Sequence, residues 1–453
     1  MGTVGINFGP INSGQGFDVA STVTQILAAE QAIEDPWKTQ LTNLQAQDTA
    51  LSKMGTDLST LATSLQKLTD FSGVFAGKQG SSSNENAVVI SSATNLASAG
   101  SHTVVVTSLA QTSTQFSDKI TNSADTLTGS LSITINGNQK NLSVSGQTLS
   151  QMAVSINGAG MGVSAAVVTD TQGSRLSIVS STSGAAGEIS MSTLLTDANG
   201  NSVGFQEKIA GQDADLIVDG LNTSSASNTV TGLIPGVTLQ LLSKTDPTNP
   251  VQIQIVTDNN TIESAMADFV NSYNAVVDDI QSEEGKDANG NPMALFGDPT
   301  LALLQNQLSQ GLLSGAASGS IKNLSQLGVT VDKTGHLSLD GDTMDSILNS
   351  NFSDVQGFLQ NTGSFGQMFS TTLNNLSSTS TNGAIALALK QNSSQEASLN
   401  QSISDQDARI ASDKTNLTAE LNTANQILQS LPSQLNQIAQ LYSAVTGFNQ
   451  QQH

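Results

Sequence analysis

The 453-residue chain contains no cysteine. That absence excludes disulfides, thiolate-bound zinc, iron–sulfur clusters and thiol catalysis together, so stability has to come from packing and association. Aromatic residues make up 4% of the chain and charged residues 11%, which points to modest cores in two to four domains rather than one large enzyme-like core. Positive charge is scarce too: 15 Lys and Arg stand against 37 Asp and Glu, a net charge of −22. Duplex binding depends on Lys and Arg neutralising phosphates, so nucleic acid is not an expected partner, and anionic membranes are disfavoured on the same ground. No apolar run reaches the roughly 18 residues needed to cross a bilayer, and the opening residues lack the cationic and apolar regions of a cleavable signal. Ile6 stands where the myristoylation pattern needs Ser or Thr. These features predict no membrane insertion, and a chain that is either cytoplasmic or exported without a cleaved signal peptide.

What is present is a seven-residue apolar repeat near the C-terminus. Ile403, Ile410, Leu417, Ala424, Leu431, Ile438 and Val445 form one row, and Leu421, Leu428, Leu435 and Tyr442 fill the position four later. A strict heptad stripe keeps facing a partner only if the helices supercoil, so it calls for a partner helix. Asp407 and Lys414 occupy the four-later position in the first two heptads, which predicts a dry seam from about Leu417. Pro432 lies inside the pattern and predicts a kink or break, with Ser430 capping a restarted helix.

Read in order, residues 1–17 are Gly-, Asn- and Ser-rich and predict a disordered arm. Residues 18–72 predict N-terminal leg helices, with Asp18 as a cap and Asp35-Pro36 as a boundary. Trp37, Leu44, Leu51, Leu58 and Leu65, with Met54, Leu61 and Leu68, make a second heptad seam. Because the two seams lead into and out of one middle region, they are expected to pair antiparallel. From 78 to 258, strands are expected at 87–91, 103–107, 131–135, 175–179, 215–219 and 251–255, with a hairpin at Asn136-Gly137. A short helix near 149–157 lies between two hairpins, which predicts an inserted subdomain at about 123–205. Residues 261–382 predict further leg helices, one running through Met266, Phe269, Tyr273 and Ile280, and a hairpin near 327–340. Residues 384–453 complete the leg and a terminal tail. The fold class expected is multidomain α+β: an elongated antiparallel helical, coiled-coil leg built from both termini, and a β-rich head containing a small α+β subdomain.

Four features imitate chemistry. Ser64-Leu65-Gln66-Lys67 with Lys333-Thr334-Gly335 matches two of three β-lactamase signatures, but the Ser-Asp-Asn element is missing. The DANGN run occurs at 197–201 and 287–291, yet an EF-hand loop starting at Asp287 would need Gly where Pro292 stands, so turns explain both copies. His102, His336 and His453 are too few and scattered for a triad or a metal site. Gly158, Gly160 and Gly162 read as a flexible turn rather than a phosphate loop. No catalytic, metal or cofactor site is expected.

Several runs, in order, are similar to a known family. They are SGQGFDV at 13–19, QILAAE at 25–30, FVNSYNAVV at 269–277, LFGDPTL at 295–301 and LGVTVDKTGHLSLD at 327–340. The chain resembles the flagellar hook-associated protein 2 family over nearly its whole length, with Phe17 where Leu is usual and an extra Gln-Gly in the opening. The stretch at about 123–192 looks like the repeat shared by flagellins and hook-associated proteins. The resemblance implies a structural protein, not an enzyme, that caps the filament at its distal, extracellular tip. It would assemble as a ring-like homo-oligomer beyond the hook–filament junction proteins, guide exported flagellin into the filament, and travel by type III export. An export chaperone at the C-terminal helix is a further expected partner. The helix-packing and interface candidates are Leu44, Leu51, Leu58, Leu61, Leu65, Leu68, Leu417, Leu421, Leu428, Leu431, Leu435, Ile438 and Tyr442. Two other readings stay open: an extracellular adhesin whose head binds host glycans, and another flagellar axial or junction protein.

Overall fold

In the computed structural model, which describes residues 16–315, 319–377 and 381–446, the chain is multidomain α+β. Among the described residues there are eight α-helices, α1 Val19–Gln31, α2 Glu34–Thr69, α3 Leu149–Gly158, α4 Asn259–Glu283, α5 Pro299–Leu312, α6 Gly341–Gln360, α7 Phe365–Leu376 and α8 Ala384–Thr446. Two compact units form, one from the stretch before Asp70 together with everything from Ala265 onward, the other Asp70–Ser264. Of the expected N-terminal arm, residues 1–15 lie outside the described residues.

The helical unit is built from capped amphipathic helices. Asp18 caps α1 by accepting from the Ser21 N–H at 3.1 Å. The chain turns at Ala32 and Ile33, and α2 starts with Pro36 in its first turn, where a missing N–H removes no helical bond. Leu44, Leu51, Met54, Leu58, Leu61, Leu65 and Leu68 are buried along α2, as the second seam requires. In α4, Met266, Phe269, Tyr273, Val276 and Ile280 are buried on one face. Asp298 caps α5 through the Thr300 N–H at 2.7 Å, with Pro299 at its first position. α6 breaks its helical geometry at Asn351, which divides it into two halves.

α7 was not expected from the sequence. Its Phe365, Phe369, Leu373 and Leu376 repeat at helical spacing, but Ser, Thr and Asn between them mask the pattern. It supplies two of the aromatic rings at the centre of an aromatic cluster. Phe365 stacks on Phe358 and Phe369, with centroids 5.2 and 5.5 Å apart, while Phe269 from α4 meets Phe369 edge-on at 5.9 Å. Gly311 in α5 permits this approach, since a Cβ there would sit 2.5 Å from the Phe369 ring.

Two expectations for the C-terminal helix are corrected. α8 is one continuous 63-residue helix that runs through Pro432. Ser430 caps no restart: its hydroxyl turns back to the Ile427 carbonyl at 2.9 Å, and Ser433 donates to the Ser430 carbonyl at 2.7 Å. Pro432 has no N–H to donate to the carbonyl four residues back, at Leu428, and the two hydroxyl bonds, to the Ile427 and Ser430 carbonyls, lie on either side of that acceptor. The seam is also packed earlier than expected. Ile410 is buried, as is Gln406, whereas every apolar residue from Leu435 onward in the row is exposed.

The β-rich unit holds two cores. In the first, strands pair antiparallel in the order Lys78–Ser82, Val251–Thr257, Gly100–Ser108, Ala214–Val218 and Leu221–Ser225. A second sheet of Thr229–Thr231, Val237–Leu241 and Val88–Ala93 contributes to the same core, including Val88, Val104, Leu216, Leu239 and Ile253. The other core includes Leu131, Ile133, Leu149, Met152, Ile156, Leu176 and Ile178. Here Leu127–Ile135 and Asn138–Gln147 form the expected hairpin, with Asn136 and Gly137 both at positive φ. A four-stranded sheet in the order Phe205–Ile209, Thr114–Ser117, Gly173–Ser180 and Val163–Asp170 completes it, so its strands extend a little beyond 123–205 at both ends. All six expected strands are present. The ones missed, such as Lys78–Ser82 and Thr114–Ser117, are short and rich in Ser and Gln.

Candidate interaction surfaces

Helices α2 and α8, which carry the two seams, pack antiparallel as expected, but the C-terminal heptad stretch itself faces α1. Asn392 in α8 donates to Asp48 of α2 at 2.8 Å, Gln406 reaches the Glu30 carbonyl of α1 at 3.4 Å, and the Phe17 N–H donates to Asn425 at 2.9 Å. Each step forward along α8 is matched by a step back, which is antiparallel packing. This register sets the first part of α8 against α2 and gives the heptad stretch to α1. Leu417 and Leu421 are half-buried against Val19, Val23 and Leu27, with Ile410 in the same cluster. The second half of the α2 seam packs instead toward α6 and α7, where Gln360 donates to the Leu68 carbonyl at 3.4 Å. Period alone could not distinguish these partners, because a heptad reports one facing stripe and not what faces it.

The thirteen candidates therefore fall into three groups. Leu44, Leu51, Leu58, Leu61, Leu65 and Leu68 are buried within the helical unit. Leu417, Leu421, Leu428 and Leu431 are half-buried. Leu435, Ile438 and Tyr442 are 52%, 61% and 57% exposed, and Leu441 and Val445 add to the same open stretch.

Two of the runs noted in the sequence meet in space. Asn274 of α4 lies opposite the Val329–Val331 and Leu337–Leu339 hairpin and bonds the Leu337 backbone through both ends of its amide. His336 Nε2 lies 2.8 Å from Asp278 Oδ1, and Gln281 donates to the Thr334 carbonyl at 2.7 Å. The hairpin turn itself is held by Asp332, whose carboxylate accepts from the Thr334 and His336 N–H groups. These bonds, the Thr334 hydroxyl first, keep Asp332 below the usual carboxylate range.

Charge pairs link α2 to α4. Lys53 bridges Asp57 and Asp279, and Lys67 pairs with Asp268 at 2.9 Å. Burial pushes Asp279 above the ordinary carboxylate range, while its hydrogen bond holds Asp57 below it. Between the two helices runs an open groove of about 590 Å³, with Gly55, Ser59, Thr63 and Ser64 on one wall and Asp268 and Asn271 on the other. The hydroxyls of Thr56, Thr60 and Thr63 bond carbonyls four residues back, so they offer this groove less hydrogen bonding than their number suggests. Tyr273, 3% exposed, has its phenol pushed up to about 12 by burial.

The motifs that imitate chemistry resolve into structure. Ser64 donates to the Leu61 carbonyl of its own helix at 2.8 Å, and Lys67 is engaged by Asp268. Both DANGN runs fold as the same turn: Asp197 and Asp287 each accept from the N–H groups two and four residues on, with Gly200 and Gly290 at positive φ. Asp332 to His336 repeats that turn a third time. His102 pairs with Asp219 at 2.7 Å, and His453 lies outside the described residues. Gly160 and Gly162, at positive φ, shape the turn after α3. Among the described residues, no group of three or more His, Cys, Asp or Glu is placed to hold a metal ion, and no helix is long and apolar enough to cross a membrane.

Comparison with known proteins gives consistent matches. Residues 211–437 match the family model for the flagellar hook-associated protein 2 C-terminus, and residues 15–113 match that for its N-terminus. The B-type flagellar hook-associated protein 2 of Pseudomonas aeruginosa is 31% identical over 344 residues, 68% of this chain and 71% of that protein. The flagellar hook-associated protein 2 of Escherichia coli K12 is 29% identical, covering 83% of this chain and 85% of the relative. The crystal structure of the D1-D2-D3 domains of the Escherichia coli flagellar cap protein FliD aligns with a TM-score of 0.57 at 27% identity, over 76% of this chain and 99% of that one.

Proposed function

We infer the function from one premise: this chain belongs to the flagellar hook-associated protein 2 family. It is a flagellar filament cap protein, a structural component whose role is to hold the growing end of the filament. The observation that carries this is the pair of family matches at the two ends of the chain, together with the likeness to a solved cap protein. The relatives carry the names of hook-associated and cap proteins, which favours capping over the adhesin reading.

The finer assignments are proposals. The chain works at the filament tip as a ring-like homo-oligomer, next to flagellin and beyond the hook–filament junction proteins. It reaches that position by export, and it acts sterically, with no bond made or broken. The helices of the helical unit form the leg, and Asp70–Ser264 forms the head. The stretch around Leu435, Ile438 and Tyr442, with the half-buried Leu428 and Leu431 at its edge, is the surface for a neighbouring subunit or, before export, a chaperone; the exposure of Leu435, Ile438 and Tyr442 in the single chain supports this reading. A deletion strain tests the function: unpolymerised flagellin should accumulate in the medium, and filaments of wild-type length would overturn the assignment.

A further inference from the structure

The Val163–Asp170 strand lies at the edge of its four-stranded sheet, paired on one side only with Gly173–Ser180. Its sequence contains no Lys or Pro, the residues that usually discourage an edge from taking up another strand. The Ser181 N–H donates to the Gly162 carbonyl at 2.9 Å, so backbone groups of the alternate residues Val163, Ala165 and Val167 point away from the sheet. At the middle of that open edge sits one side chain. Asn157, from the end of α3, donates its Nδ2 to the Ala165 carbonyl at 2.9 Å and accepts the Ala165 N–H on Oδ1 at 2.7 Å. An amide presents one donor and one acceptor with the spacing of a peptide group, so Asn157 occupies the two bonds that an incoming strand would make there. The stretch left beyond it, from Val167 to Asp170, is too short for a typical strand pairing, which uses about five residues.

We propose that Asn157 is an edge guard, keeping the Val163–Asp170 strand from pairing with the same strand of a second copy of this chain. A second copy is the occupant that fits: two identical antiparallel edges can meet about a twofold axis, each satisfying the other. The strand's exposed face is self-compatible, carrying Ser164, Ala166 and Val168 with a single charge, Asp170, at its end. Association of this kind would be separate from ring assembly and would compete with it.

The full-length Asn157→Ala variant tests the proposal by light scattering after size exclusion and by hydrogen exchange. The expected result is a larger species beyond the wild-type distribution. At low concentration the Ala165 amide should exchange about tenfold faster, and it should regain protection as concentration rises. Adding Ala166→Lys, which sets two lysines across the new contact, should return the wild-type distribution. A folded Asn157→Ala chain with faster Ala165 exchange and an unchanged size distribution overturns the guard and leaves a local staple. If the alanine variant does not fold, Asn157→Ser, too short to reach Ala165, repeats the test with the same two outcomes.

Discussion

Asn274 and Leu337 are joined by two hydrogen bonds, from Asn274 Nδ2 to the Leu337 carbonyl at 2.8 Å and from the Leu337 N–H to Asn274 Oδ1 at 2.7 Å. A helix side chain thus completes the backbone pairing of a two-stranded hairpin that would be marginal alone. Removing it leaves both Leu337 groups without this partner. Asn274→Ala should destabilise the helical unit by about 2 kcal/mol, two bonds at roughly 1 kcal/mol each, with faster exchange localised to the hairpin. Denaturant unfolding with site-resolved exchange checks both parts, and unchanged exchange at Leu337 would contradict the assignment.

The two kinds of seam leucine should respond differently to substitution. Leu58→Ala removes a fully buried side chain and should cost about 2 to 5 kcal/mol. Leu435→Asp and Ile438→Asp alter exposed positions and should leave the stability of the single chain within about 0.5 kcal/mol. On the reading that the open stretch serves partners, the same Asp variants should weaken oligomerisation or chaperone affinity, measured by sedimentation and titration calorimetry. Unchanged values for both would remove that reading.

Gly311 tests the aromatic core. Gly311→Ala places a methyl against the Phe369 ring and should cost about 1 to 3 kcal/mol through overpacking, although alanine is the better helix former. Thermal unfolding decides the sign. A gain in stability would mean that the Phe269–Phe365–Phe369 cluster yields more easily than its stacking implies.

Two groups make stability depend on pH in opposite directions. His102 and the Thr103 N–H hold the Asp219 carboxyl below its ordinary range, so its contribution is present above the unfolded value of about 3.9 and is lost as pH falls through the folded value. Burial raises Tyr273 to about 12, so its contribution is present below the unfolded value of about 10 and is lost as pH rises toward 12. Melting temperatures of wild type and His102→Ala should converge at low pH. Tyr273→Phe should flatten the alkaline limb, and an unaltered limb would show that another group controls it.

Much of the architecture could be read from spacing. Alternation found the strands at Gly100–Ser108 and Val251–Thr257, and Asp18 announced a helix start that the structure contains. What could not be read was partnership. The stripe containing Leu417 requires a facing helix, but only the register set by Asn425, Gln406 and Asn392 shows that α1 supplies it. Pro432 carries a local penalty of about 3 kcal/mol, which predicts a break, but the long helix on either side continues through it. Asp219-Gly220 carried the same hairpin signal as Asn136-Gly137 and could have been recognised, since both pairs sit at positive φ between adjacent strands. The double bonds made by Asn157 and Asn274 have no sequence signature at all: an asparagine on a helix reads as a surface residue until a strand edge is found beside it.

The antiparallel register along α8 also sets an order of detachment. Phe17 clasps Asn425, Glu30 meets Gln406 and Asp48 holds Asn392, so three fastenings lie in sequence along one helix. Each joins α8 to a point progressively deeper in the chain. A pull applied at the C-terminal end would therefore load them one at a time, and α8 would peel like a strip with three rivets, α1 letting go before α2.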